Sequence, residues 1–170
     1  MTELEITVAT GAERGVLEAL FQLSIHDFSE HWADEARGEI DEDGRFEPYD
    51  LDPYWRDAGA IPLLLRRKGR LAGFALVNAT GHSGQPTERN MAEFFVARKH
   101  RRSGFAQAAA LEIFSRYPGQ WEAAVARRNV VALAFWRRTV AAHPQARDIE
   151  ELALKPPAWD GAVLRFRIDS

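Results

Sequence analysis

Between Glu93 and Ala106 the sequence reads Glu-Phe-Phe-Val-Ala-Arg-Lys-His-Arg-Arg-Ser-Gly-Phe-Ala. The apolar run of Met91, Phe94, Phe95 and Val96 predicts a buried strand, and the alanine-rich Ala106 to Tyr117 a helix. A basic loop ending at Gly104 joins them. A helix start leaves backbone N–H groups unpaired and carries the positive end of the helix dipole, so this order of elements can hold an anion. Gly104 lets a ligand come close to the backbone, and Ala106 is small enough to do nearly the same. The competing readings are an ordinary turn glycine and a solvated basic surface of Arg98, Lys99, Arg101 and Arg102. Neither G-x-x-x-x-G-K-[ST] nor G-x-G-x-x-G occurs, so a P-loop nucleotidase and a Rossmann dinucleotide site are both unsupported.

Val96 to Ala106 resembles the acetyl-CoA-binding signature of the GCN5-related N-acetyltransferases, the GNAT superfamily. The core of that signature is Arg or Gln, two residues of any type, Gly, any residue, then Gly or Ala. Here it is Arg101-Arg102-Ser103-Gly104-Phe105-Ala106. Val96 and His100 fall where the family often has Val and Tyr or His, and Arg98 departs from a frequent Pro. A second stretch at the expected distance, Asn129-Val130-Val131-Ala132-Leu133-Ala134-Phe135-Trp136, resembles the family's Asn, Ala, Phe-Tyr helix, with Trp136 in place of Tyr. The resemblance covers most of the chain and is weakest before residue 60 and after residue 142.

The resemblance implies an α/β fold: one N-acetyltransferase domain over residues 1–170, with a mixed, mostly antiparallel sheet and helices on both faces. Its central parallel pair is expected to splay where the cofactor enters. It also implies acetyl-CoA as cosubstrate, no metal, and transfer of an acetyl group to a primary amine by direct attack. The cofactor-binding residues it implies are Phe95, Val96, Ala97, Arg101, Arg102, Ser103, Gly104, Phe105, Ala106, Asn129 and Trp136. An attacking amine must be neutral, yet an alkylamine has a pKa of about 10.4, so a base or a pKa-depressing environment is required. Several members of the family have a glutamate on this strand, which makes Glu93 the first candidate base. Strand alternation sets it opposite Phe94 and beside Phe95, and a carboxylate among aromatics has a raised pKa. The other reading is an ion-paired strand residue; His26, His31 and Asp27 are weaker alternatives. A backbone N–H near Val96 or Ala97 would stabilise the tetrahedral oxyanion. An indole N–H donates a hydrogen bond but cannot protonate a thiolate, so Trp136 is either a donor to the sulfur or a packed core aromatic. A non-catalytic acyl-CoA-binding domain of the same fold is the alternative function.

Several elements must position these residues. Glu5 to Ala9 predicts a first strand, and Thr10-Gly11-Ala12-Glu13 has the form of a capping box. Val16, Leu17, Leu20, Phe21 and Leu23 give an amphipathic helix that continues or breaks near His26-Asp27-Phe28. Residues five apart, such as His26 and His31, do not share a helix face, which argues against a metal there. Arg37 to Asp52 is an acidic stretch that reads as a solvated loop; its place in the resemblance suggests the other reading, an acceptor rim that attracts cations. Tyr49, Tyr54 and Trp55 would be apolar walls or core. Ile61 to Leu65 and Leu71 to Val77 form a hairpin across Lys68-Gly69, and Gly81 to Pro86 is a surface loop. Pro118-Gly119 stops a helix, and Trp121 to Val125 should run parallel to the Glu93 strand. Asn129 caps a helix ending at His143-Pro144, and Ile149 to Leu154 pairs with Ala162 to Ile168.

A chain of 170 residues suits a single domain, and 46% hydrophobic with 28% charged residues is a globular composition. The net charge of −3 argues against coating nucleic acid, as does a basic run without interleaved aromatics. With no cysteine, disulfides, thiolate zinc sites and a cysteine nucleophile are excluded. No secretory h-region or membrane-length apolar run occurs, so the cytoplasm is the expected location. The expected partner is a small-molecule or peptide amine, with neither nucleic acid nor membrane, and the chain is expected to be a monomer or homodimer.

Overall fold

The computed structural model describes residues 3–170. Alternation along the leucine-rich hairpin shows how its layers arise. In β2 (Ile61–Arg67), Leu63 and Leu65 face one apolar layer and Leu64 the other, each fully buried. Lys68 and Gly69 turn the chain with φ of 51° and 75°, as a tight two-residue hairpin requires, into β3 (Arg70–Asn78). With β1 (Leu4–Val8) and β4 (Arg89–Val96) these strands form four antiparallel neighbours. The full sheet has 7 strands in the order β1-β2-β3-β4-β5-β7-β6, where β5 is Gly119–Ala126, β6 Ala146–Leu154 and β7 Gly161–Ile168. The expected last hairpin is present, with β7 inserted between β5 and its own partner.

Helices cover both faces. On one side lie α1 (Arg14–Ser29) and the single turn α2 (Pro53–Arg56), which bury Leu17, Phe21 and Tyr54 against Leu64, Phe74, Leu76 and Phe95. The capping box forms at the entry to α1: the Thr10 N–H donates to the Glu13 carboxylate at 2.9 Å. α1 runs unbroken through His26-Asp27-Phe28, and Leu23 does not join its buried face. On the other side lie α3 (Phe105–Arg116) and α4 (Val130–Ala142). Phe114 is fully buried there, edge-on to Trp121 at 4.8 Å and to Phe166 at 5.0 Å. Truncating such a ring costs about 3–5 kcal/mol. Among the described residues no helix is long and apolar enough to cross a membrane.

The parallel pair is where the sheet opens. β4 and β5 are paired only at Arg89 with Trp121 and Asn90 with Glu122, although both strands continue for several more residues. A bulge in β4 contributes to this: Leu76 pairs with Glu93 and Val77 with Met91, so Ala92 is the extra residue. Across it the faces exchange. Met91 and Phe94 both belong to the α3 side, while Ala92 and Phe95 both belong to the α1 side.

The loop between β3 and β4 is more than the surface connection that Gly81 to Pro86 suggests. The fully buried Glu122 carboxylate accepts from the His82 N–H at 2.7 Å, from the Thr87 hydroxyl at 3.0 Å, and from Ser83 and Arg165. Burial alone would raise its pKa, but these donors outweigh burial and hold it below the usual carboxylate range. Gly81 is required here, because a Cβ would lie 2.4 Å from the Glu122 carboxylate.

Candidate active site

Where β4 and β5 part there is a cleft of about 910 Å³, walled by α1, the 35–50 loop, the ends of both strands, the start of α4 and the β6–β7 loop. Glu93 faces it one residue after the bulge. Its carboxylate has no ion-pair partner among the described residues, and burial pushes its pKa up to about 7. The Tyr49 ring stacks on Phe21 at 4.3 Å on the same wall, and burial and then the Glu93 charge push its hydroxyl pKa up. Trp136 lines the cleft edge-on to Phe94 at 5.2 Å and is 7% exposed. Three of the 5 indoles are tied to carbonyls, Trp55 to Ala9, Trp121 to Tyr117 and Trp159 to Val125; Trp136 makes no such bond. Asn129 also borders the cleft, but its side chain is occupied, accepting the Ala132 N–H at 3.1 Å as the cap of α4.

The end of β4 separates the two expected oxyanion donors. The Ala97 N–H donates to Ala72 O at 2.8 Å, so it belongs to the sheet and is not available. Hydrogen-bonding direction alternates along a strand, so the Val96 N–H points the other way, to the edge that β5 has left. Beyond it the chain makes a 3₁₀ turn over Arg98–His100, and Arg102 and Gly104 follow at φ of 57° and 80°. The first N–H of α3 to find a carbonyl is that of Ala108, on Gly104 O at 3.0 Å, which leaves those of residues 102–107 without a backbone acceptor. Those donors at a 12-residue helix start fit a phosphate group. Nothing lies within 4 Å of where a Gly104 Cβ would be.

The side chains around this loop divide by role. Phe95, Val96 and Phe105 are buried in the two cores, and Ala106 packs against the α3-side core, so these residues support the loop and offer a ligand only backbone. Ser103 donates to His100 O at 2.9 Å and accepts from Arg67 at 3.1 Å. Arg101 donates to Val96 O at 2.6 Å and pairs with Asp27, which also holds Arg98 at 3.0 Å. Lys99 and Arg102 remain as exposed cations without an ion pair among the described residues.

The geometry also separates the acidic region into parts. Asp41 caps its own turn, accepting the N–H groups of Asp43 and Arg45 at 2.9 Å each, and neither Asp41, Glu42 nor Asp43 reaches the cleft. Glu47 and Asp50 do. Other charges on the walls are paired, Arg37 with Glu35 at 2.6 Å and Arg127 with Asp160 at 2.6 Å. Tyr54 is buried in the α1-side core and the Trp55 indole is bound to Ala9 O, so of the three aromatics only Tyr49 is a wall. His31 lines the cleft and His26 does not; Asp27 is committed to its two arginines. Among the described residues no three His, Asp or Glu side chains gather as a metal site would need. Sequence reasoning did not find His82 and Trp159, whose rings meet at 4.5 Å on the cleft wall. They come from different loops, and no local pattern joins them.

A second hollow of about 540 Å³ lies outside the start of α3, beside Ser103, Gly104, Arg67 and His143. Ser115 and His143 are 2.9 Å apart there, but His143 Nδ1 accepts the Gln145 N–H, which leaves the proton on Nε2 facing the serine. A histidine in that tautomer cannot take the serine's proton.

A mixed sheet opened at its one parallel pair, with unpaired backbone N–H groups at the helix start that follows β4, is the fold of the acyl-CoA N-acyltransferases. The model of the acetyltransferase (GNAT) family matches residues 17–140, and the chain belongs to that family of N-acetyltransferases. An acetyltransferase from Thermus thermophilus superposes with a TM-score of 0.65 at 13% identity, covering 99% of this chain and 98% of that one. The ribosomal-protein-alanine N-acetyltransferase of Brucella melitensis gives 0.60 at 18% identity, covering 97% and 99%. The spermidine N-acetyltransferase of Vibrio cholerae, in complex with CoA and spermine, gives 0.60 at 12% identity, covering 98% and 95%. No curated protein matches by sequence.

Proposed function

We propose that this protein transfers the acetyl group of acetyl-CoA to a primary amine of a small cationic acceptor, by direct attack, with Glu93 as base. The observation that carries the reading is Glu93 itself: an unpaired carboxylate in the cleft between the parted strands, with a pKa pushed up to about 7. An ammonium of pKa about 10.4 does not yield its proton readily to such a base. The ammonium gives its first proton to water, the neutral amine attacks the thioester carbonyl, and once the C–N bond begins to form the nitrogen becomes acidic enough for Glu93 to take a second proton. The Val96 N–H supports the oxyanion. The C–S bond then breaks and the thiolate leaves, with a pKa of about 8.5 as judged by cysteine, so water can protonate it. Trp136 solvates the sulfur or packs beneath it and supplies no proton. Of the three tyrosines Tyr54 and Tyr117 do not line the cleft, and Tyr49, which does, holds its proton more tightly than an ordinary phenol.

The unpaired acids Glu47, Asp50 and Glu93 support a cationic acceptor. The spermidine enzyme of Vibrio cholerae is a structural neighbour that acts on such an amine. The test is thiol release from acetyl-CoA with a panel of amines. Glu93→Gln should lower kcat/KM at pH 7 by about 10²-fold or more. Undiminished turnover in Glu93→Gln would remove the base assignment. Trp136 in the usual tyrosine position is the observation that favours a non-catalytic acyl-CoA-binding domain instead, and CoA binding without thiol release for any amine would establish that reading.

A further inference from the structure

Asp27 sits between the two halves of the site. On α1, the side chains of Phe21, Ser24, Ile25 and Phe28 wall the acceptor cleft. Asp27, on the same turn as Ser24 and Phe28, turns instead to the loop before α3. One of its oxygens accepts from Arg98 Nε at 3.1 Å and from the other end of the same guanidinium at 3.0 Å; its second oxygen pairs with Arg101. The Arg101 guanidinium is held at two further points, by Val96 O at 2.6 Å and over the Phe95 ring at 5.6 Å. Asp27 is 18% exposed, while Arg98 is 72% exposed and has no other ion-pair partner among the described residues. Burial would raise the Asp27 pKa, but Arg101 and Arg98 overcome it, so the carboxylate stays charged.

A carboxylate is a poor choice beside a loop that holds an anion. By charge alone it opposes a diphosphate and neutralises cations that would otherwise attract it. What it contributes is a link. Arg101 is fixed to the carbonyl of Val96, the residue whose N–H faces the opening, and Asp27 joins that arginine to the helix that walls the acceptor.

We propose that Asp27 is a positioning residue that couples the cofactor loop to α1, so that binding CoA also orders the acceptor wall. The proposal rests on the reading that residues 97–106 hold the CoA diphosphate. Diphosphate held by the loop N–H groups fixes the backbone of the loop, and the ion pairs of Arg98 and Arg101 with Asp27 carry that restraint to the second half of α1. By linkage the effect is reciprocal: an ordered acceptor wall favours CoA.

The test is hydrogen exchange of amides 21–32 in the full chain with and without CoA, together with calorimetric titration of CoA. It compares wild type, Asp27→Asn, Asp27→Glu and Arg98→Ala. In wild type, saturating CoA should slow exchange in this segment. In Asp27→Asn the slowing should vanish and the CoA Kd should rise about tenfold, within the usual range of coupling energies. Asp27→Glu should recover part of both effects, and Arg98→Ala, a surface change that does not threaten folding, should lose part of both. Equal slowing in wild type, Asp27→Asn and Arg98→Ala would overturn the coupling. So would tighter CoA binding by Asp27→Asn, the result of merely removing a negative charge near a diphosphate. In those two cases wild type still binds CoA and the loop reading stands. A wild type that does not bind CoA would remove the loop reading, and the proposal with it.

Discussion

Glu93 is a carboxylate whose burial makes it the candidate base and makes its charged form costly to the fold. If it is the base, kcat/KM rises with pH through about 7 and shows no falling limb near neutral pH, because the one phenol on the cleft wall, Tyr49, is pushed above its ordinary pKa of 10.0. Glu93→Gln should flatten the rise; a bell-shaped profile in wild type would show that another residue supplies a proton. The same pKa makes a stability prediction. The folded-state pKa lies above the ordinary value of 4.5, so the folded protein binds more protons than the unfolded one between those limits. Its contribution is fully present below about pH 4.5 and is lost as pH rises through 7. Glu93→Gln should therefore melt with wild type at about pH 4 and several degrees above it at about pH 8. Equal melting at both pH values would mean that the carboxylate is not desolvated. Trp136→Phe, by contrast, should keep most of the turnover, measured as thiol release, because the ring's packing on Phe94 and Phe114 survives and no proton is lost.

If the loop before α3 holds the diphosphate, elements rather than single side chains make that site, and this can be measured. Gly104 has φ of 80°, where an L-residue costs about 1–2 kcal/mol and a β-branched one more, although space for a Cβ is free. Gly104→Val should raise the CoA Kd about tenfold or more by calorimetry, while Arg102→Ala, an exposed side chain without partners, should change it only a few-fold. Wild-type affinity in Gly104→Val would sink the phosphate-loop assignment. This loop was legible in the sequence because Arg101, Gly104 and Ala106 are close together, and the hairpins were legible for the same reason. The insertion of β7 beside β5 was not, since no local pattern says which strand a late hairpin joins. Nor was the pair of Glu122 with Arg165, 43 positions apart, since no local pattern joins two charged residues on different strands. Breaking a buried pair by removing one partner costs about 3–5 kcal/mol, so Glu122→Gln should lower the urea midpoint strongly at unchanged m-value. A midpoint like that of wild type would mean that the loop holding His82 folds without the pair.

At the site the charges without an ion pair among the described residues fall into two groups of opposite sign, which the net charge of −3 does not reveal. Cations Lys99 and Arg102 stand free at the loop before α3, and unpaired acids Glu47, Asp50 and Glu93 line the cleft. An anionic cosubstrate and a cationic acceptor would each be drawn to its own end and meet between β4 and β5. The sequence places the acidic rim over the whole stretch from Arg37 to Asp52, because a charge run does not show which members a fold turns inward; of its acids Glu47 and Asp50 line the cleft. Neutralising Glu47 and Asp50 together, as Glu47→Gln with Asp50→Asn, should raise the acceptor KM several-fold and flatten its dependence on salt. Neither effect should be large above about 0.15 M salt, where the screening length is about 8 Å. The acetyl-CoA KM should change little. Glu42→Gln with Asp43→Asn removes as much charge from the same loop but outside the cleft, so it should leave the acceptor KM near wild type. If the outer pair mattered as much as the inner one, steering by overall charge would replace recognition in the cleft. If the best acceptor in an amine panel were anionic, the cationic assignment would be wrong whatever the variants did.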